Sequence, residues 1–390
     1  MQQFDVVVIG GGMAGASAAI SIKKAAPEAQ VAVVEAYAPK GKQHPSFDDR
    51  SIALAAQSVA FLQQQQLFNR DWQFAEPITQ VHVSDRGHFG KTWIKPEDYG
   101  QQALGYVVEV NPYGAFLHQQ LQSHDITLFC PQQVSELQQH LEQVTLTLDD
   151  GSQLSSSLLV VADGAQSPTR SKLNIAFDSL SYEQGALIAN VEVAAPHQGH
   201  AFERFTEQGP MALLPMSDNR YSLVWCMANE RLSDYAALPA EQFITQLQQA
   251  FGYRAGQFTQ VGMRATYPLV LGRVEQLSHH RVVIIGNAAH AIHPIAGQGF
   301  NLGLRDIQVL LSQCQAFSMA QWGSHQFTRA YQLAREQDIN TVMTLTDALV
   351  RLFSNSSRSL ALGRSVGLLT MALSKTARAP LAKQLMGYNG

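Results

Sequence analysis

Three groups of residues in this chain have types and spacings suited to cradling a large phosphate-bearing ligand. The first lies in FDVVVIGGGMAGASAAISIKKAAPEAQVAVVEA, which begins at Phe4. Gly10, Gly12 and Gly15 stand there as G-x-G-x-x-G, directly after the apolar run Val6 to Ile9. In that pattern the first glycine permits a tight turn, and the second lets backbone approach a pyrophosphate. The third lets a helix pack on its strand, and the N-terminus of that helix faces the phosphates. Glu35 comes 20 residues after Gly15, where a carboxylate can hydrogen-bond a ribose hydroxyl. An acid there favours an unphosphorylated ribose, as in NAD or FAD, without choosing between them.

The second group rests on a contrast between two Asp-Gly pairs. VTLTLDDGSQLSSSLLVV (144–161) alternates apolar and polar residues up to Asp150-Gly151, then enters a second strand, as a hairpin does. Asp163-Gly164, in SLLVVADGAQSPTR, follows the apolar run Leu158 to Val161 and precedes a helix start, with no alternating return strand. The first pair reads as a turn and the second as a functional loop.

The third group is HHRVVIIGNAAHAIHPIAGQGFNLGLRD, His279 to Asp306, in which a strand meets glycines and two histidines. His290 and His293 stand three apart, but no cysteine or acid with ligand spacing accompanies them, so no metal is expected. They otherwise read as packed histidines, or as part of a loop in which Gly297, Gly299 and Gly303 leave room for a flat ligand against a helix start. Arg50, in HPSFDDRSIAL, stands beside Asp48 and Asp49 and reads equally as a surface arginine or a ligand contact.

These groups need a scaffold. Val6–Ile9 and Gln30–Glu35 read as strands of a parallel sheet buried on both faces, with a helix from Ala14 to Ala26 between them, ended by Pro27. AFERF, MALLPM and YSLVWCM, within 201–227, read as strands of a second, largely antiparallel sheet. The fold class is therefore α/β: a Rossmann-like domain, a second sheet and a helical C-terminus. Its expected division is 1–72, 101–175 and 277–350 for the nucleotide domain, 73–100 and 176–276 for the substrate domain, and 351–390 for the helical tail.

Composition narrows the function class. Charged residues make up only 15% and the net charge is −4, against roughly 25% charged in an average soluble protein. With no basic block, nucleic acid is not an expected partner. Cys130, Cys226 and Cys314 are far apart and fit buried thiols in a reducing compartment. Met1-Gln2-Gln3 runs straight into a strand with no signal peptide, and no apolar run reaches the roughly 18 residues of a membrane span. The expected location is the cytoplasm.

Taken together, the motifs resemble the single-component FAD-dependent aromatic hydroxylases. That family shows GxGxxG near its start, a central DG motif and, late in the chain, G-D-A-A-H-x-x-x-P-x-x-G-x-G-x-N. Here these stand as Gly10/Gly12/Gly15, as Asp163-Gly164 with Arg170, and as GNAAHAIHPIAGQGFN from Gly286 to Asn301. One position departs: the family's acid after the glycine is Asn287, whose amide can still hydrogen-bond a hydroxyl. HPSFDDRSIAL, HVSDRG, AFERFTEQGPMALLPMSDNRYSLVW and HPIAGQGFNLGLRD resemble, more narrowly, the branch acting in ubiquinone biosynthesis.

The resemblance implies FAD as cofactor, NAD(P)H and O2 as co-substrates, and hydroxylation of the ring of a polyprenyl phenol through a flavin C4a-hydroperoxide. It implies FAD contacts at Gly10, Gly12, Gly15, Glu35, Arg50, Asp163, Gly164, Arg170, Gly286, Asn287, Gly297, Gly299 and Asn301. His293 and Pro294 would be the catalytic residues beside the reacting ring, His293 as proton acceptor or else as a loop-structuring histidine, and Pro294 with its peptide close to the transferred oxygen. Other ubiquinone-biosynthesis proteins would be partners. The segment 358–375 reads either as a helix packed on its own domain or as one that lies against a partner subunit or a membrane surface, the inner face of the bacterial cytoplasmic membrane, and helps receive the lipid tail. Three alternatives stand: another aromatic substrate, another ring position, and a non-catalytic FAD-bearing subunit of a biosynthetic complex.

Overall fold

Four unbroken apolar runs organise the first layer, because a strand that is apolar on both faces needs cover on both. In the computed structural model, which describes residues 1–38, 50–87, 90–292, 298–353, 367 and 369–387, these runs lie side by side. The sheet is ordered β18 (Ser278–His279), β19 (Val282–Ile284), β11 (Gln153–Val161), β1 (Gln2–Ile9), β2 (Val31–Val34) and β8 (Thr127–Phe129). From β19 to β8 every pair is parallel. Val6, Val7, Val8, Leu158, Leu159 and Val283 are fully buried between helices. The hairpin expected at Asp150-Gly151 is present: β10 (Val144–Leu148) runs antiparallel to β11, and β9 (Val134–Gln139) to β10.

One face is covered by α1 (Met13–Ala25), whose Ala16, Ser17, Ala18 and Ala19 are all buried. Small side chains let it approach both the sheet and α7 (Gln298–Ala316) closely. α3 (Val110–Ser123) lies beside α1, and α8 (His325–Phe353) packs on α7. Two short helices, α2 (Ala56–Gln64) and α4 (Pro168–Lys172), follow β3 (Ser51–Ala55) and β11.

The second sheet is ordered β20 (His290–Ala291), β17 (Ala265–Val274), β12 (Phe177–Val193), β15 (Arg220–Ala228), β14 (Gly209–Met216), β13 (His200–Thr206), β5 (Gln80–Asp85) and β6 (Lys91–Ile94). β16 (Phe258–Val261) pairs with β12. It is antiparallel throughout except where β13 meets β5. The three strands expected within 201–227 are β13, β14 and β15. Period-2 alternation gives the sheet two apolar faces. Leu187, Phe202, Leu213, Leu223 and Trp225 face outward, beneath α6 (Ala240–Phe251), which buries Phe243, Leu247 and Phe251 against them. α5 (Asn229–Ala237) adds Leu232. On the opposite, inner face Val81, Val83, Ala201 and Phe205 pack with Ile78, Leu104, Val107, Ala382 and Met386.

A third, three-stranded antiparallel sheet, which the sequence pattern did not reveal, fills the space between: β3 (Ser51–Ala55), β7 (Gly105–Glu109) and β4 (Ala75–Ile78). Its strands are short and come from separate segments, so alternation within any one of them is a weak signal. The C-terminal α9 (Lys375–Leu385) closes this corner, with Ala382 and Met386 buried beside Val107 and Ile94. Arg378 donates to the Trp93 carbonyl at 2.7 Å, and Lys375 pairs with Asp98. This part of the tail packs on its own chain, whereas Leu369 and Leu373 are exposed. Residues 358–366 and 368 of the segment read in two ways lie outside the described residues. Among the described residues no helix is long and apolar enough to cross a membrane.

Candidate flavin and substrate site

The parallel strands β1, β11 and β19 end side by side, and each is followed by one of the three motifs. Gly10 leaves β1 with φ +97° and passes so close to the next strand that a Cβ would lie 2.5 Å from the Ala162 carbonyl oxygen. Gly15 is constrained more tightly: a Cβ there would meet the Gly10 oxygen at 1.9 Å. Gly12 is different, since nothing lies within 4 Å of the place where its Cβ would be. The outer turn of the loop is thus bare backbone facing open space at the start of α1, the geometry that receives a pyrophosphate.

Glu35, just past β2, accepts from the Gly11 N–H at 2.5 Å and from the Tyr37 N–H at 2.9 Å. These bonds fix the carboxylate against the loop, and each oxygen keeps a lone pair for a ribose hydroxyl. Asp163 is held by one oxygen only: Oδ2 accepts from the Thr169 N–H at 3.1 Å. Its Oδ1 is buried with no hydrogen-bond partner. A buried carboxylate oxygen without a donor is costly unless a ligand supplies one. Gly164 beside it has φ +90° and open space around it. An unsatisfied acceptor, two open glycines and a fixed acid fit the pyrophosphate, ribose and polyol hydroxyls of FAD.

Arg170 lies between the motifs. It is buried, donates to the Ala288 carbonyl at 2.8 Å and the Ala165 carbonyl at 3.0 Å, and lies over the Phe177 ring. Its guanidinium therefore ties the DG loop to the third motif. Gly286, with φ +59°, touches Ala14 of α1, and Gly303 of α7 packs on Gly286. Asn287 is exposed at the loop surface. Asn301 is buried and clasps β3, accepting from the Ala55 N–H and donating to the Ala53 carbonyl, each at 2.8 Å. Gly299 has open space around it in the first turn of α7. His293, Pro294 and Gly297 lie outside the described residues.

Arg50 is exposed and approaches the Tyr267 hydroxyl at 3.4 Å, so the residue just before β3 meets β17 of the second sheet. The strand β20 inside the third motif also pairs with β17, Ala291 opposite Gly272. The edge of the second sheet is thereby joined to the segment that follows β19.

A charged network beneath the third motif was not anticipated. Asp306 is wholly buried in α7 and accepts from the Gly286 N–H at 2.8 Å; its Oδ2 is 2.7 Å from His290 Nε2. Arg335 of α8 reaches its Oδ1 at 2.7 Å and also pairs with Asp338, which Arg305 bonds at 2.8 Å. Burial alone would push the Asp306 carboxyl up, but His290, Arg335 and the Gly286 N–H together hold it below its ordinary range. The network ties the Gly286 turn to α7 and α8. A signal existed: Asp306 stands in the helical stripe of Leu302 and Leu310, an acid where an apolar residue belongs.

A model of the FAD binding domain family matches residues 3–346. The ubiquinone hydroxylase UbiL of Rhodospirillum rubrum is 33% identical over 376 residues, covering 93% of this chain and 85% of that protein. The 3-demethoxyubiquinol 3-hydroxylase of Escherichia coli is 28% identical, covering 94% of each chain. Among solved structures, p-nitrophenol 4-monooxygenase PnpA from Pseudomonas putida superposes with a TM-score of 0.80 over 100% of this chain and 99% of its own, at 17% identity, a likeness of fold.

Proposed function

The chain belongs to the FAD binding domain family and is an FAD-dependent aromatic-ring monooxygenase, and we propose that it hydroxylates the ring of a polyprenyl phenol in ubiquinone biosynthesis. The observation that carries this reading is the meeting of three motifs at one sheet edge beneath an apolar second sheet, in a chain whose relatives are ubiquinone hydroxylases. Bound FAD, reduced by NAD(P)H, supplies the activation of O2 that places one oxygen atom on an electron-rich ring.

The chain's own residues supply position and dryness. Backbone at Gly10, Gly12 and Gly15 lets the pyrophosphate come near the N-terminus of α1, and Glu35 takes a ribose hydroxyl. Asp163 Oδ1 accepts a cofactor hydroxyl, with Gly164 leaving the room for it. Asn287 adds an amide at the rim, and Arg50 and Gly299 would border the ring, where the sequence resemblance alone also puts His293, Pro294 and Gly297. Gly286, Arg170 and Asn301 act through the scaffold, by holding the loops in register. The inner face of the second sheet excludes water from the reacting ring, which limits wasteful release of peroxide. The division into an FAD domain, a substrate domain from 73–100 and 176–276, and a helical tail follows from this reading. So does peripheral contact with the cytoplasmic membrane and with other proteins of the pathway, since the substrate carries a lipid tail.

The test uses purified FAD-loaded protein, a short-tailed methoxyphenol, NAD(P)H and labelled O2. The expected result is NAD(P)H oxidation accelerated by the phenol and one labelled oxygen atom in the product. Bound FAD with phenol-independent oxidation and no oxygenated product would instead mark an FAD-bearing subunit without this activity.

A further inference from the structure

One corner of the second sheet's outer face gathers cations without matching acids. Lys91, Ser84 and Arg204 are register partners on β6, β5 and β13, so two cations flank one serine in a row about 10 Å wide. Alternation places this row on the face of Phe202 and Trp225. The end of α6 meets it there: the Arg204 guanidinium lies 5.9 Å from the centre of the Phe251 ring. Arg86, two residues past Ser84, donates to the Gln249 carbonyl at 3.3 Å. Tyr253, 75% exposed, and Arg254 follow the helix. Arg86, Lys91 and Arg254 are exposed, and Arg204 is half-buried. Arg204 reaches the Ser84 hydroxyl at 3.5 Å, and its Nε is buried without an acceptor. Among the described residues none of these four pairs with a carboxylate, whereas Arg220, Arg281, Arg305, Arg335, Lys375 and Arg378 all do. The charges act on one another. Burial, then Arg86 and Arg254, pull the Arg204 guanidinium below its ordinary value, with Asp85 opposing. His82, the preceding outward residue of β5, is pushed down to about 4 by burial and then by Arg254, Lys91 and Arg204.

We propose that this corner docks the protein on an anionic phospholipid bilayer, with Arg86, Lys91 and Arg254 among the phosphates and Tyr253 at the boundary of the acyl layer. The inference rests on the reading that the substrate carries a lipid tail, which puts its source in a membrane. The chain as a whole has a net charge of −4, so its total charge does not draw it to an anionic surface. Attraction must come from a local concentration of cations, acting within a Debye length of roughly 8 Å. Guanidinium groups suit this partner, because their planar fork matches phosphate oxygens. An exposed tyrosine suits the headgroup layer, where its ring is buried and its hydroxyl stays wet. The edge strand β6 also anchors the tail of the chain: Arg378 donates to the Trp93 carbonyl, and exposed Leu369 and Leu373 lead into α9. Exposed apolar side chains are therefore tied to the strand that carries Lys91.

The test is co-sedimentation of FAD-loaded protein with vesicles, either of phosphatidylcholine alone or of phosphatidylethanolamine mixed with phosphatidylglycerol. Wild type should partition onto the anionic vesicles, far less onto the neutral ones, and come off as salt rises. Each surface cation contributes roughly fivefold to the partition coefficient, so Arg86→Gln, Lys91→Gln and Arg254→Gln together should lower it roughly a hundredfold. A control with the same change in net charge, Arg70→Gln, Lys172→Gln and Arg329→Gln, uses exposed positions on other elements and should lose only a few fold. Tyr253→Ser should lose a few fold at every salt concentration, since that contact is apolar. All these proteins should keep FAD and hydroxylate a short-tailed phenol at the wild-type rate. Equal wild-type binding to neutral vesicles would overturn the proposal, as would equal losses in the two triple variants or undiminished binding in the first. Inorganic phosphate bound at this corner with vesicle partition unaffected by the first triple variant would mark a small-anion site instead. Vesicle docking by a protein that hydroxylates no phenol would leave the surface standing and strike the reading of the reaction.

Discussion

The chain contains the same dipeptide twice within 15 residues, at Asp150-Gly151 and Asp163-Gly164, and the two copies do different things. Both glycines adopt positive φ, +83° and +90°, and neither would clash through an added Cβ. At the first pair the hydrogen bonds are local. Asp150 Oδ1 accepts from the Ser152 N–H at 2.8 Å, and the turn is closed by bonds between Leu148 and Ser152 and between Gly151 and Leu148. At the second pair one carboxylate oxygen is buried without a donor. A hairpin turn returns the chain to its own neighbour and so completes its own hydrogen bonds. A turn at the carboxyl end of a central parallel strand cannot, because its neighbours are already paired in register, and its spare groups point out of the sheet.

Replacing the aspartates tests this contrast most strongly. Asp163→Ala should weaken FAD binding by roughly ten- to a hundredfold, the loss of a hydrogen bond to a charged acceptor, and should release flavin during purification. Asp150→Ala should leave flavin binding unchanged in the same fluorescence titration. Equal loss in both would mean that the orphaned oxygen of Asp163 is not a ligand contact.

The glycines separate backbone strain from ligand space. Gly151→Ala and Gly164→Ala should each cost about 1 kcal/mol of stability, because both force an L-residue into the left-handed region. Thermal unfolding of the flavin-free proteins should show the two costs to be similar. Only Gly164→Ala should weaken FAD in addition, by a few fold, since the open space around Gly164 would then be where the cofactor lies. A Gly151→Ala variant with impaired flavin binding would break the comparison.

A smaller effect belongs to Asp150 alone. The Ser152 backbone N–H, followed by its side chain, holds the Asp150 carboxyl below its ordinary value of 3.8. A carboxyl with a depressed pKa stabilises the fold above its unfolded pKa, and that contribution is lost as pH falls through the folded value. Wild type should therefore be slightly more stable than Asp150→Asn at neutral pH and should lose the difference below about pH 4. A gap unchanged into acid would mean that the hydrogen bond does not depend on the charge. The smallest change is expected at the rim, where Asn287→Asp should bind FAD at least as well. A clear loss there would show that the amide donates a hydrogen bond a carboxylate cannot make.

Much of this arrangement was legible in the sequence where it depends on residues close together in the chain. The strand, turn and helix around Gly10 to Gly15 follow from an apolar run, glycines and a proline. The hairpin at Asp150 and the strands at 200–206, 209–216 and 220–228 follow from alternation. These elements are set by local sterics and by the period of side chains on a helix or strand, which neighbouring residues alone determine. What meets what is another matter. That Arg170 would brace the Ala288 carbonyl, 118 residues away, that Asn301 would clasp β3, and that Asp306 would hold His290, Gly286 and Arg335 together required the packed sheets. Buried polar side chains find partners wherever the fold delivers a donor or acceptor, and that depends on the docking of distant strands rather than on spacing along the chain.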